Sequence, residues 1–312
     1  MIKNGVVRLE NGNLVLEISK GTGKLLALKW QGQGTETDLL VVPHESERQA
    51  SLTPTANNVF DAREAFGGDE CFPTVSGFSH WNLRDHGELW GRTAEVQSTQ
   101  GNVTTVWPLA SQKAEFRRSI ASLPLLGDRK CGFLFDVEFP AFYSVEIAGT
   151  SSCVESLYAS HALFSAEEGD VLVLAELSPE DLVQWNFSGN AEFLKMCIKK
   201  GMLYRQDFPE KAKPSAQKFY AQSDKKIVSL LHKKNANMTL VISQETGLPC
   251  TGIWWCNNGW GDGRDHRTIG IEPTTHATDG PIFASTRGDI STKNVSFRWE
   301  VVQGRDSFSI RE

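Results

Sequence analysis

The sequence predicts an all-β protein folded as a large antiparallel β-sandwich with few short helices, and three observations carry that expectation. Short runs of alternating apolar and polar residues recur along the chain, and clusters of Gly, Asn, Asp and Pro separate them. No long amphipathic helix and no strand-helix-strand alternation interrupts the pattern, which favours sheets packed on sheets over a parallel α/β core. At 312 residues the chain is long for one sandwich. Single all-β units of roughly 200 to 250 residues are nevertheless ordinary. With no internal repeat or low-complexity linker to mark a boundary, residues 1–312 are read as one domain.

The elements follow in order. In "RLENGNLVLEIS" the pair Asn11-Gly12 reads as a two-residue hairpin turn, and Leu14, Leu16 and Ile18 alternate with Val15 and Glu17 as in a half-buried strand. Gly21-Thr22-Gly23 then turns the chain into "KLLALKW". Strand-like runs recur as "GFLFDVEF", "DVLVLAEL" and "NMTLVIS". Ser178-Pro179-Glu180 has the form of a helix start with proline at the first helical position. In the last run, "VSFRWEVVQ", Val295, Phe297, Trp299 and Val301 face one way, and Ser296, Arg298 and Glu300 the other.

Composition narrows the class of function. Hydrophobic residues make up 40% and charged residues 22%, the balance of a globular protein rather than a disordered or fibrous one. A net charge of −6 argues against a nucleic-acid partner. No apolar run reaches the ~18 residues a membrane helix requires, and "MIKNGVVRLENGN" has no signal-peptide character, so the expectation is a cytoplasmic protein that does not engage a membrane. The six cysteines show no CxxC spacing. They read as reduced, mostly buried thiols, with neither a zinc site nor a disulfide framework.

Three segments carry chemistry. The first, "FGGDECFPTVSGFSHWNLRDHGELWGR", crowds Asp69, Glu70, His86 and Arg92 among aromatic residues, and His86-Gly87 has the form of a histidine held by a tight backbone path. The second, "YASHALFSAEEGDVLV", holds His161. The third, "GIWWCNNGWGDGRDHRTIGIEP", offers Trp255 and Asn257 to a saccharide: an aromatic face for the sugar's C–H surface and an amide for its hydroxyls. The same tryptophans also fit a plain aromatic core beneath a loop. Its end, "TIGIEPTTHATDG", runs Ile269 and Ile271 into Glu272, which reads as a carboxylate ending a buried strand, a position over-represented at functional sites.

Together these segments resemble the galactose mutarotase-like superfamily, the aldose 1-epimerases and their relatives, along nearly the whole chain. "DHGELWGR" is similar to that family's histidine-glycine segment, "SHALFSAEEGD" to its second histidine segment, and "IGIEPTTHATDG" to its glutamate segment. The resemblance implies the large supersandwich fold and an enzyme that interconverts the α and β anomers of an aldose without metal or organic cofactor. Carried over, it makes Glu272 the general base, His161 the general acid and His86 a second imidazole near the ring oxygen. In "NNVFDAREAFGG" Arg63 stands in for the arginine of the Asn-Arg pair that the resemblance implies upstream of the first histidine. The implied partner is a small-molecule sugar, whether free aldose, uronate or sugar phosphate, with Arg63, Arg92, Arg264 and Arg267 available to clamp an anion. Two other readings stand beside it: a non-catalytic carbohydrate-binding or sensing protein on the same scaffold, and a glycosidase or polysaccharide lyase, with Asp69 or Glu70 as the second carboxylate that hydrolysis needs beside Glu272.

Overall fold

The computed structural model describes residues 2–3, 5–32, 35–55, 60, 64–125, 130–147, 149–175, 182–183, 204–207, 215–258, 266–284 and 291–304. The expected helix start at Ser178-Pro179-Glu180 lies outside them, as do Arg63, Arg264 and Cys197.

Among the described residues the strands form two large antiparallel sheets and one small one. Through the middle of the first run the strands Leu14–Ser19, Leu25–Gly32, Gly68–Cys71, Ala159–Ser165, Arg267–Thr274, Cys250–Asn257 and Ser215–Gln222, in that spatial order. The second is centred on the long strands Lys130–Pro140 and Thr292–Gln303, paired over eleven residues. A three-stranded sheet, Phe142–Ile147, Thr150–Glu155 and Ile282–Phe283, stands apart. One α-helix stands among the described residues, Glu45–Ala50, six residues long. No helix among the described residues is long and apolar enough to cross a membrane.

Alternation explains why the two large sheets stack. Val295, Phe297, Trp299 and Val301 are all buried in one apolar cluster with Leu16, Ile18, Leu28, Ile253 and Ile271 of the first sheet. Burying each such side chain stabilises the fold by about 1.5–3 kcal/mol. The sheets are also joined by a polar link inside the core: Arg118 donates to Glu70 Oε1 at 2.8 Å, and Tyr158 donates its hydroxyl to Oε2 at 2.7 Å. Glu70 therefore faces the core, which removes it as a carboxylate partner for Glu272.

Two expectations change in detail. Asn11 pairs with Leu14, so the opening turn is centred on Gly12-Asn13, one residue later than read. Gly12 takes the left-handed conformation (φ 57°), while the Asn11 amide donates to the carbonyls of Leu123 and Gly132. The Leu14–Ser19 strand is buried on both faces, because Arg48 of the helix covers Glu17, its Nη2 donating at 2.7 Å. Five cysteines, 71, 131, 153, 250 and 256, are buried.

Candidate active site

A single rung of the first sheet gathers the polar residues. Asp69 pairs with His161, Gly252 with Glu272, and Tyr220 with Gly252. The register that pairs Ala162 with Ile271 and Ala159 with Thr274 puts His161 opposite Glu272. On the next rung stand Leu163, Gly270, Trp254 and Lys218. Directly opposite residues share a sheet face and successive residues alternate. The neighbours Ala162, Ile271, Ile253 and Phe219 therefore enter the core, while His161, Glu272, Tyr220, Trp254 and Lys218 occupy the opposite face.

Glu272 does not end its strand, as the sequence suggested. The strand continues through Pro273 to Thr274, and the carboxylate projects from its middle. Its space is made by glycine. A Cβ at Gly252, directly across, would lie 3.2 Å from Glu272 Oε2, and one at Gly270 would lie 3.3 Å from Oε1.

A covering loop completes the site. His86 has a left-handed backbone (φ 57°), and its N–H donates to Val75 O at 2.6 Å. Gly87 follows at φ 77° with its backbone against Phe72, where a Cβ would sit 2.2 Å from the Phe72 carbonyl oxygen. Only glycine fits there, and the tight path expected from His86-Gly87 is present. Phe60 stacks on His86 at 3.8 Å between ring centroids, and His86 meets His161 edge to face at 4.8 Å. The three residues implied by the resemblance, His86, His161 and Glu272, thus line one cleft of about 160 Å³ with Asp85, Lys218 and Asp279.

Its electrostatics are those of a buried ion cluster. Lys218 Nζ donates to Glu272 Oε2 and to Asp279 Oδ1, each at 2.8 Å, and Tyr220 donates its hydroxyl to the same Asp279 oxygen. Burial raises the Glu272 carboxyl above the usual carboxylate range, with Lys218 pulling it back and Asp279 adding to the rise. For Lys218 burial works downward, but Glu272, Tyr220 and Asp279 outweigh it and hold the ammonium well above its ordinary value. His161 is pushed well below the usual histidine range, first by burial and then by His86, Lys218 and Lys24. That is the reverse of what a general acid at neutral pH needs. His86 Nδ1 lies 3.2 Å from Asp85 Oδ1, within ion-pair reach but not aligned as a hydrogen bond. Glu272 Oε1 is buried without a hydrogen-bond partner, 3.7 Å from His161 Nε2.

Other expected contacts lie elsewhere. Trp255 packs in the core, because the alternation that points Trp254 into the cleft points its neighbour inward. Asn257 shares that inward phase and accepts a hydrogen bond from Arg267 Nε at 3.2 Å, which also occupies Arg267. Asp69 is bound to Lys24 and lines a neighbouring cleft, separated from Glu272 by the His161 strand. Arg92 is half exposed, 3.8 Å from Glu88, and does not line the cleft. Sequence reading missed Lys218, Asp279, Asp85, Phe60 and Trp254. For Lys218 a signal existed: in "SAQKFYAQ" Phe219 marks the inward phase, leaving Lys218 and Tyr220 outward. For Asp279 there was none.

No protein-family model matches the chain, and no curated protein matches it. Solved structures do. A galactose mutarotase-like protein from Lactobacillus casei is 11% identical with a TM-score of 0.59, over 95% of this chain and 100% of its own. A galactose mutarotase related enzyme from Lactobacillus acidophilus is 10% identical with a TM-score of 0.59, over 96% and 98%. The GalM/aldose epimerase homologue from C. elegans is 11% identical with a TM-score of 0.56, over 96% and 99%. At such identities the likeness establishes the fold: this chain has the galactose mutarotase-like β-sandwich.

Proposed function

We propose that the protein is an aldose 1-epimerase-like isomerase that opens and recloses the ring of an aldose by proton transfer alone. The observation that carries this reading is the Glu272 carboxylate. One oxygen is held by Lys218, and the other is buried without a hydrogen-bond partner on a residue that lines the cleft. A buried acceptor without a donor is costly, and a hydroxyl at the anomeric carbon supplies the missing donor and the proton to be removed. Raised by burial, the carboxyl is a stronger base than an exposed one, while Lys218 favours its ionised form.

The imidazoles place the sugar. His161 Nε2, 3.7 Å from Glu272 Oε1, reaches the same hydroxyl or its neighbour. Neutral at neutral pH, it holds an oxygen by hydrogen bond. His86 is stacked against Phe60 and presents an edge to the ring. Among the described lining residues, Asp85, Glu272 and Asp279 face a single ammonium, Lys218, which favours an uncharged aldose over a uronate or a sugar phosphate.

The test is NMR detection of anomer exchange across free aldoses, uronates and hexose phosphates, with the protein as the only variable. Acceleration for at least one free aldose is expected. Binding without acceleration would make this a carbohydrate-binding protein, and release of reducing ends from an oligosaccharide would make it a hydrolase.

A further inference from the structure

We propose that Lys218, rather than His161, is the proton donor of this site, delivering a proton from Nζ to the ring oxygen while Glu272 Oε1 takes one from the C1 hydroxyl. The assignment rests on the mutarotase reading and deepens it.

Donor geometry comes first. An ammonium has three N–H bonds. Two are directed at Glu272 Oε2 and Asp279 Oδ1, both at 2.8 Å, and the third is left for the cleft that Lys218 lines. The carboxylate has the complementary vacancy at Oε1. The two oxygens that exchange protons in ring opening are both bonded to C1, so one sugar carbon brings both of them to a paired carboxylate and ammonium. A closed ring of hydrogen bonds results, running from Oε1 through the C1 hydroxyl, C1, the ring oxygen and Nζ back to Oε2.

In ring opening the O–H bond at C1 breaks, its proton goes to Oε1, and its electron pair forms the C1=O bond. The bond from C1 to the ring oxygen breaks, its pair leaves on that oxygen, and the proton from Nζ completes the new hydroxyl. The site then holds a neutral carboxyl and a neutral amine. After rotation about C1–C2 the same two transfers in reverse close the ring as the other anomer and restore the ion pair.

The burial of Lys218 makes it acidic when the step needs it. The carboxylate of Glu272 leads the groups that hold the ammonium up against burial. Once Glu272 has gained its proton the largest of those supports is gone, and the proton on Nζ is held less firmly against burial. His161 offers no such proton, since its neutral ring faces His86 and Lys218.

The discriminating variant is Lys218→Arg, which keeps the charge and the contacts to both carboxylates but cannot be deprotonated. Anomer exchange at saturating aldose is expected to fall by about 100-fold or more, with sugar binding by NMR within threefold of wild type. If arginine disturbs the fold, seen in the near-ultraviolet circular dichroism, Lys218→Gln replaces it: its exchange should be restored by added ethylammonium, which has a proton to give, more than by tetramethylammonium, which has none, and equal effects of the two would overturn the assignment. Exchange within threefold of wild type in the folded variant would overturn the assignment and leave the mutarotase reading standing. A wild-type protein that binds aldoses without exchanging anomers would overturn both.

Discussion

His161 and Glu272 face each other across one rung of the first sheet, with Nε2 3.7 Å from Oε1, although 111 residues separate them in sequence (272 − 161). The contact is not a strong ion pair, since burial keeps the imidazole neutral. It leaves Oε1 buried and without a hydrogen-bond donor on a residue that lines the cleft.

Replacing that acceptor tests the base directly. Glu272→Gln preserves shape and is expected to keep the fold while lowering anomer exchange by about 10² to 10⁴-fold. A rate near wild type would remove Glu272 from the role. Because the ionised form is active and burial raises its pKa, activity in the wild type should fade with acid at a midpoint above the ~4.3 of a free glutamate. The acid limb of kcat/KM measures it.

Adjacent tryptophans should separate binding from stability. Trp254→Ala opens the cleft wall and should raise KM with little change in unfolding free energy. Trp255→Ala leaves a hole in the main core and should cost about 3–5 kcal/mol. Urea unfolding beside kinetics distinguishes them, and the reverse pattern would mean that the strand has been assigned the wrong phase.

Gly252→Ala tests the space made for the carboxylate. The added methyl would meet Tyr220 Cε1 at 3.0 Å and Glu272 Oε2 at 3.2 Å, pressing on the ion cluster without a forbidden backbone angle. A displacement of well under 1 Å is expected to lower turnover by about tenfold or more. Unchanged turnover would show that the cluster yields freely.

Within the core, Glu70→Gln leaves Arg118 charged and uncompensated. A loss of about 3–5 kcal/mol is expected, with exchange activity per folded molecule retained because Glu70 lies on the face away from the cleft. An activity loss without destabilisation would contradict that placement.

Asp38 gives a pH signature in stability rather than rate. Burial raises its pKa to about 7, against backbone donors from Leu28 and Leu40. A raised carboxyl contributes stability at low pH that is lost as pH climbs from the unfolded value of ~3.9 through about 7. Tm against pH should therefore decline less over that window in Asp38→Asn than in wild type. Parallel curves would show that Asp38 titrates normally.

The fold was legible because period-2 alternation reports directly on burial. Val295, Phe297, Trp299 and Val301 sit where the pattern put them. The His86-Gly87 path was legible too, since a residue able to turn left before a glycine is a local signal. Trp255 and Asn257 were misplaced because two neighbouring aromatics cannot tell which of them starts the inward phase. Glu272 was read as a strand end because proline followed it, yet that strand continues through Pro273 to Thr274.

By itself the sequence determined the strands and their alternation, which are written in neighbouring residues, and the resemblance of three of its segments to a known family implied His86, His161 and Glu272 as candidates. Only the tertiary structure decided that Lys218 and Asp279 close on Glu272. Which strand lies beside which, and in what register, depends on packing between segments far apart in the chain. A lysine on one strand carries no mark of the carboxylate two strands away.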